Sequence, residues 1–206
     1  MISERQIKII YRCWKVFVFT AMLIFPFILI FYASANIIGF NDELLIRTAG
    51  FVHKYGAFPY DFWGSLLLNG LWIFLMFIHL TIIFQLWLMA RAVKVISDGR
   101  TWLTPWKIIS YFLLPLYGFV YASAAFKSLA IEINEYVSDK KMSNEKIMKE
   151  RLAFAAGLCI ALMAVIFMIP LLFLPAMILD ILYVRNLKRS VLFIIKEKSP
   201  LVTRLE

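Results

Sequence analysis

Four stretches of the sequence are almost wholly apolar, and polar, charge-rich segments separate them. At 1.5 Å per residue, each stretch is long enough to cross a hydrocarbon core of about 30 Å as an α-helix. The pattern predicts spans over residues 12–40, 62–97, 105–137 and 144–188. It therefore predicts an all-α fold, a single membrane domain over residues 1–206 built as a bundle of four transmembrane helices.

Local signals refine the ends of these helices. Ser3 and Gln6 have capping-box spacing, Thr104 before Pro105 is a favourable helix start, and Ser143 is a good N-cap for the fourth helix. Proline removes a backbone hydrogen bond, so we expect the later helices to be kinked at their prolines. These prolines are Pro115, Pro170 and Pro175.

Two segments outside the spans are amphipathic. Residues 41–56 fit a short helix in the outer membrane interface, and they fit an ordinary loop packed on the bundle equally well. Residues 189–206 form a basic tail. At the other end, Ala33-Ser34-Ala35 resembles a signal-peptide cleavage site, but the apolar run before it is longer than a signal usually has, which favours an anchor.

Composition and charge support a membrane protein. Hydrophobic residues make up 63% of the chain and charged residues 17%, which is not the composition of a soluble domain. The net charge of +9 comes from Lys and Arg near helix ends rather than on one amphipathic face. This distribution indicates topology signals and contacts to anionic lipid headgroups, and it disfavours nucleic acid as a partner.

The charge count leaves the path of the third helix open. With four spans and both termini in the cytoplasm, fourteen of the 22 Lys and Arg are cytoplasmic and eight are not. A third helix that re-enters, turning between Pro115 and Gly118, gives the same count. Length favours spanning, because two short arms would bury a turn in lipid.

No motif in the sequence indicates catalysis or metal binding. The sequence has two His and two Cys and shows no HExxH, CxxC, G-x-S-x-G or glycine-rich phosphate loop. We therefore predict no enzyme, no cofactor and no metal site.

Polar residues within apolar spans are candidate intramembrane sites. His79 lies near mid-depth of the second helix and Arg91 near its end, while Asp180 interrupts an apolar run in the fourth helix. For His79 the alternatives are a hydrogen-bonded structural histidine and a proton or ligand site. Asp180 fits a structural ion pair, an interfacial carboxylate or a functional acid, and we predict that it meets a cation, with Arg12, Lys15, Arg91 and Lys107 at matching depth. Gln85 and Asn69 favour interhelical hydrogen bonds over a transport path.

Small residues recur at helical spacing in the third and fourth helices, as Gly118, Ala122 and Ala125 and as Gly157 and Ala161. Such rows let helices approach closely in lipid. A turn near Lys140 pairs residue numbers that sum to about 280, so these two helices are predicted to form a long antiparallel hairpin.

Three motifs carry a family resemblance: Thr104-Pro105-x-Lys107, Leu114-Pro115-Leu116-Tyr117, and Leu129-Ala130 with Asn134-x-Tyr136. The chain resembles, over about residues 71–187, an uncharacterised family of small four-helix bacterial membrane proteins. It departs from the family's core pattern, which has Asn, Tyr and Trp where this chain has Gly118, Val120 and Tyr121. The resemblance implies a four-helix inner-membrane protein and no established activity.

These observations predict a multi-pass protein of the bacterial inner membrane, with both termini cytoplasmic, that acts through assembly. It would be a homo-oligomer or the membrane subunit of a larger complex, because its spans offer packing surfaces. The alternative is a small channel or transporter in which His79 and Asp180 line an aqueous path.

Overall fold

The computed structural model describes residues 3–37, 62–97, 104, 106–107, 118–143, 145–161 and 173–202. Within these ranges the chain forms five α-helices and no strand: α1 (Glu4–Ile37), α2 (Phe62–Ile96), α3 (Gly118–Asp139), α4 (Glu150–Ala161) and α5 (Phe173–Val202). The predicted all-α class is confirmed. Among the described residues, two segments are long and apolar enough to cross a membrane, Glu4–Ile30 in α1 and Trp72–Ile96 in α2.

Two of the predicted helix starts are confirmed. The Gln6 N–H donates to Ser3 Oγ at 3.3 Å, and the Lys107 N–H donates to Thr104 Oγ1 at 3.2 Å. Ser143 Oγ accepts the Glu145 N–H at 3.1 Å, yet α4 begins only at Glu150, so Ser143 closes a turn rather than a helix. The predicted interfacial helix at residues 41–56 lies outside the described residues.

The single long helix predicted over residues 144–188 is wrong. The Ser190 hydroxyl donates to the Ile147 carbonyl at 3.3 Å, although 43 positions separate the two residues. A continuous helix would place them about 65 Å apart. The chain therefore folds back after α4, and α4 packs against α5 as an antiparallel neighbour. Pro175 lies in the first turn of α5, where its missing N–H needs no intrahelical partner.

Helices α3 and α4 pack against each other close to the predicted register. Asn134 bonds to Met148, a pair whose numbers sum to 282. Lys141 has a φ of 52°, and the Met142 N–H donates to the Val137 carbonyl at 3.0 Å. This bond and the left-handed residue form a Schellman-type end that reverses the chain after α3.

The chain divides into two compact units. The helix-pair unit comprises Lys15–Thr81, and its buried side chains include Val18, Phe25 and Phe74, with the two phenylalanine rings stacked at 6.0 Å between centroids. The five-helix unit comprises Met1–Trp14 and Ile82–Glu206 and so contains part of every helix. In its core the rings of Phe126 and Tyr183 stack with centroids 4.7 Å apart.

Candidate functional site

The polar ends of the helices meet within the five-helix unit. Near the end of α5, Lys198 Nζ donates to the Val95 carbonyl of α2 at 2.6 Å and lies 4.8 Å from the ring centroid of Tyr136 in α3. Lys188 Nζ, also in α5, lies 4.0 Å from the ring centroid of Tyr11 in α1. We call this region the polar pole: the start of α1, the ends of α2, α3 and α5, and the segment that leads into α4.

On the α3 side of the pole, Asn134 holds the segment before α4. Its Oδ1 accepts the Met148 N–H at 2.9 Å, and its Nδ2 donates to the Met148 carbonyl at 3.0 Å. One side-chain amide thus satisfies both backbone groups of a residue that lies outside any helix. Beside it, Lys146 donates to Glu150 Oε1 at 2.8 Å, and this hydrogen bond lowers the pKa of Glu150 from its ordinary value.

On the α5 side, Asn186 and Ser190 bind the same segment. With the Asn186 amide oriented to satisfy its neighbours, its Nδ2 donates to the Ile147 carbonyl at 3.1 Å and its Oδ1 accepts the Lys149 N–H at 3.2 Å. The Ser190 hydroxyl also donates to the Ile147 carbonyl. We call Asn134, Asn186 and Ser190 the amide clamp, because together they fix residues 147–149 between α3 and α5.

Lys198 closes the end of α2. The last carbonyls of a helix have no intrahelical donor and carry the negative end of the helix dipole, so a cation there is favourable. The Lys198 ammonium lies against the Val95 carbonyl and the Tyr136 ring at the same time. It therefore ties α2, α3 and α5 together at one point.

Below the pole lies a buried polar pair that corrects one prediction. Asp180 is 2% exposed and Gln85 is 1% exposed, and Gln85 Nε2 donates to Asp180 Oδ1 at 2.6 Å. The partner of Asp180 is thus an amide in α2 and not the predicted cation, because the amide of Gln85 reaches the buried carboxyl within the core. The predicted interhelical hydrogen bond of Gln85 is confirmed.

Two buried atoms, one in this pair and one on a neighbouring residue, have no hydrogen-bond partner among the described residues. They are Gln85 Oε1 and the hydroxyl of Tyr183, which lies one turn after Asp180 on α5. The Asp180 carboxyl also interacts electrostatically with Tyr183 and with the thiol of Cys159 in α4. The core therefore contains polar capacity that the packing of these helices does not use.

The other two candidate residues have local partners. His79 is exposed in the helix-pair unit, with Nδ1 2.7 Å from the Leu75 carbonyl one turn earlier. A carbonyl only accepts, so in a neutral ring Nδ1 carries the proton and Nε2 is an acceptor. In the five-helix unit, the Arg91 guanidinium lies 6.0 Å from the ring centroid of Trp87, also one turn earlier. The structure therefore does not join Arg91 to Asp180.

The proposed packing residues are described only in part. Ala125 and Gly157 are buried, and their numbers sum to 282 like those of Asn134 and Met148, so they lie at one level of the α3 and α4 pair. The side chains of Ala122 and Ala161, and the surroundings of Gly118, lie outside the described part of the chain. Close packing through these five residues stays a prediction.

The amide clamp and the contacts of Lys198 were not predicted from the sequence patterns. Two signals were present: Asn134-x-Tyr136 belongs to a motif that carries the family resemblance, and Asn186 and Ser190 are spaced i, i+4. Neither signal names the partner, because the partner in each case is backbone from another part of the chain.

No family model, curated protein or solved structure matches this chain. The resemblance to small four-helix bacterial membrane proteins therefore stays a prediction. No group of three or more His, Cys, Asp or Glu that suits a metal ion occurs among the described residues. The described geometry thus consists of the contacts of the polar pole and the buried pair of Gln85 and Asp180.

Proposed function

We propose that this chain is an integral protein of the bacterial inner membrane that acts through assembly and not through catalysis. It would assemble as a homo-oligomer or serve as the membrane subunit of a larger complex. The two candidate spans in α1 and α2 support its membrane placement.

The contacts of the polar pole support a revised topology. In a four-span bundle the ends of α2 and α3 would lie on opposite sides of a core of about 30 Å. Lys198 contacts both Val95 at the end of α2 and Tyr136 near the end of α3. We therefore propose two spans, α1 and α2, followed by two hairpins that enter and leave on the cytoplasmic side, one ending with α3 and the other formed by α4 and α5.

The charge distribution supports the same topology. Of the 22 Lys and Arg, only Arg47 and Lys54 lie in the sequence between the two candidate spans. The revised topology leaves the other 20 on the cytoplasmic side, whereas four spans leave fourteen there. An excess of Lys and Arg in cytoplasmic segments is the main sequence signal of orientation.

Thiol labelling tests this topology. Single cysteines replace Ser138 or Ser143 in a chain whose Cys13 and Cys159 are serine, and intact spheroplasts are treated with an impermeant thiol reagent. We expect labelling only after lysis, whereas a control cysteine at Lys54 reacts in intact spheroplasts. Labelling of Ser138→Cys before lysis contradicts the two hairpins and restores four spans.

The proposal of assembly is based on one exposed stripe of side chains on α2. Trp72, Met76, His79, Ile83 and Trp87 follow one another at spacings of three or four residues, and all five are exposed. Ionisable residues within membrane helices almost always face protein or water, because lipid offers them no hydrogen bond. His79 interrupts this apolar stripe within a candidate span, and its Nε2 is an acceptor that a donor on a neighbouring protein would satisfy.

Mass measurement in mild detergent tests assembly. We expect a complex larger than one chain, either of several copies or with a co-purifying membrane protein. For a homo-oligomer, Met76→Cys in the chain lacking Cys13 and Cys159 should crosslink, while the half-buried control Leu80→Cys should not. His79→Leu should weaken the complex. A monomeric mass after gentle solubilisation, with no crosslink and no partner, contradicts the proposal.

A channel or transporter is the second candidate, and the buried Gln85 and Asp180 pair favours it. An acid held by a neutral amide in an apolar core is a group that proton or ion pathways use. In this case reconstituted protein should conduct ions, and Asp180→Asn should reduce the flux. Vesicles with the protein that remain as tight as empty vesicles contradict this candidate.

A further inference from the structure

Five cations from two helices gather at one side of the polar pole. We call them the basic cluster: Lys8 and Arg12 on α1, and Arg185, Lys188 and Arg189 on α5. The two helices meet here, because Lys188 Nζ lies 4.0 Å from the ring centroid of Tyr11. Four of the five side chains are exposed, and Lys188 is half-buried.

Four members of the basic cluster act electrostatically on the fifth, Lys188. Burial, followed by the charges of Lys8, Arg189, Arg12 and Arg185, lowers the pKa of Lys188 from its ordinary value. Among the described residues, Glu4 contacts the cluster, with its Oε1 2.7 Å from Lys8 Nζ on the same helix. Like charges held this close repel, so an anion placed among them would relieve the repulsion.

An exposed apolar stripe lies next to the cations of α5. Ile178 and Leu182 are 51% and 46% exposed, and Arg185 and Arg189 follow on the same face at spacings of three and four residues. A ligand that suits this face has a negatively charged head and an apolar tail.

We propose that the basic cluster binds the phosphate headgroup of an acidic phospholipid, whose acyl chains lie along the apolar stripe of α5. Arginine forks and lysine ammonium groups donate several hydrogen bonds to phosphate oxygens, and clusters of such residues at the cytoplasmic surface recognise acidic lipid headgroups. This inference rests on the membrane placement proposed above but not on assembly. It assigns lipid binding to a specific site, whereas general attraction between a basic protein and a membrane involves no specific site.

Lipid titration by native mass spectrometry tests the site. Delipidated full-length protein in detergent is mixed with phosphatidylglycerol or with phosphatidylcholine, with and without inorganic phosphate. The site variant carries Arg12→Gln, Arg185→Gln and Arg189→Gln, which are exposed positions that leave the contact of Lys188 with Tyr11 in place. The control carries Lys94→Gln, Lys141→Gln and Lys149→Gln, which remove the same charge at exposed positions outside the cluster.

We expect phosphatidylglycerol to bind more tightly than phosphatidylcholine, and the site variant to lose about tenfold or more of that affinity. The control should change it by no more than about twofold, as expected for exposed charges beyond close range. Equal losses in the two variants, or no preference for the acidic lipid, overturn the site. Displacement of the lipid by millimolar phosphate also overturns it, because the cluster would then hold a free anion. The same spectra report the oligomeric mass, so failure of the lipid site and failure of assembly are separate results.

Discussion

The interactions that stabilise the helix-pair unit differ from those that stabilise the five-helix unit. In the helix-pair unit, Thr20, His79 and Thr81 each bond to a carbonyl one turn earlier on the same helix, and the stacked rings of Phe25 and Phe74 join the two helices. In the five-helix unit, polar side chains bond to backbone far away in the sequence. Asn134 and Met148 are 14 positions apart, and Lys198 and Val95 are 103 apart.

This difference corresponds to two environments, lipid for the helix pair and the helix ends for the polar pole. A polar side chain that bonds to its own helix leaves fewer polar groups for water or a partner to satisfy, so such a helix suits lipid, where close packing joins helices. At the pole the helices end, and every end leaves backbone groups that need partners. Side chains supply such partners before α4 and at the end of α2, and these bonds join the ends of different helices. The fold of the pole is therefore specified by hydrogen bonds, and that of the helix pair by packing.

The largest effect should follow the loss of the amide clamp. Asn134→Ala removes both hydrogen bonds to Met148 and leaves the N–H and carbonyl of Met148 without a side-chain partner. We expect about 2 to 4 kcal/mol of destabilisation, because each buried polar group left unpaired costs about 1 to 3 kcal/mol. Thermal unfolding in mild detergent measures it, with the exposed neighbour Glu135→Ala as the control. Equal melting temperatures for the two variants would show that the clamp does not hold the pole.

A packing change should have the next largest effect, and it should act on the helix pair. Phe74 is 3% exposed and stacks on Phe25. Phe74→Ala leaves a cavity between the two helices. Because a membrane protein stays in lipid when it unfolds, little free energy of transfer from water is lost. We therefore expect about 2 kcal/mol of destabilisation, which is below the usual range for buried phenylalanines. The exposed Ile73→Ala is the matched control in the same unfolding assay. If Ile73→Ala destabilised the protein as much as Phe74→Ala, the face of α2 that carries Phe74 would not be the one that packs against α1.

The buried pair tests whether polar bonding below the pole can be replaced by packing. Asp180→Leu leaves the Gln85 amide buried without its acceptor, and we expect about 1 to 2 kcal/mol of destabilisation. Adding Gln85→Leu should recover most of this loss, since removing both partners of a buried hydrogen bond is nearly neutral. A double variant less stable than Asp180→Leu alone would mean that Gln85 has another essential partner.

The smallest effect should come from the cap of α2. Lys198→Met keeps an apolar stem over Tyr136 but removes the cation from the Val95 carbonyl. We expect about 1 kcal/mol of destabilisation, typical for a cation at a helix C-terminus. The exposed Lys196→Met controls for the change in net charge. The melting temperature of Lys198→Met should fall below that of Lys196→Met, and no difference between them would exclude the cap.

The sequence by itself determined the features that depend on neighbouring residues. It predicted α2 to within a residue of its observed end, the caps at Ser3 and Thr104, and the register that pairs α3 with α4. Apolar run length and a side-chain oxygen two or three residues from a free N–H are local properties. Register follows from them once the turn is located, because helical rise is constant.

Only the tertiary structure decided where the chain folds back and what the buried polar groups bind. The apolar stretch over residues 144–188 has the same pattern whether it forms one helix or two antiparallel helices. The hydrogen bond from Ser190 to Ile147 shows that the chain folds back. Likewise Asp180 had several cations at matching depth, yet its partner is Gln85, 95 positions away. Depth along a helix follows from counting residues, but which faces meet depends on the packing of all the helices together, and no local pattern encodes that choice.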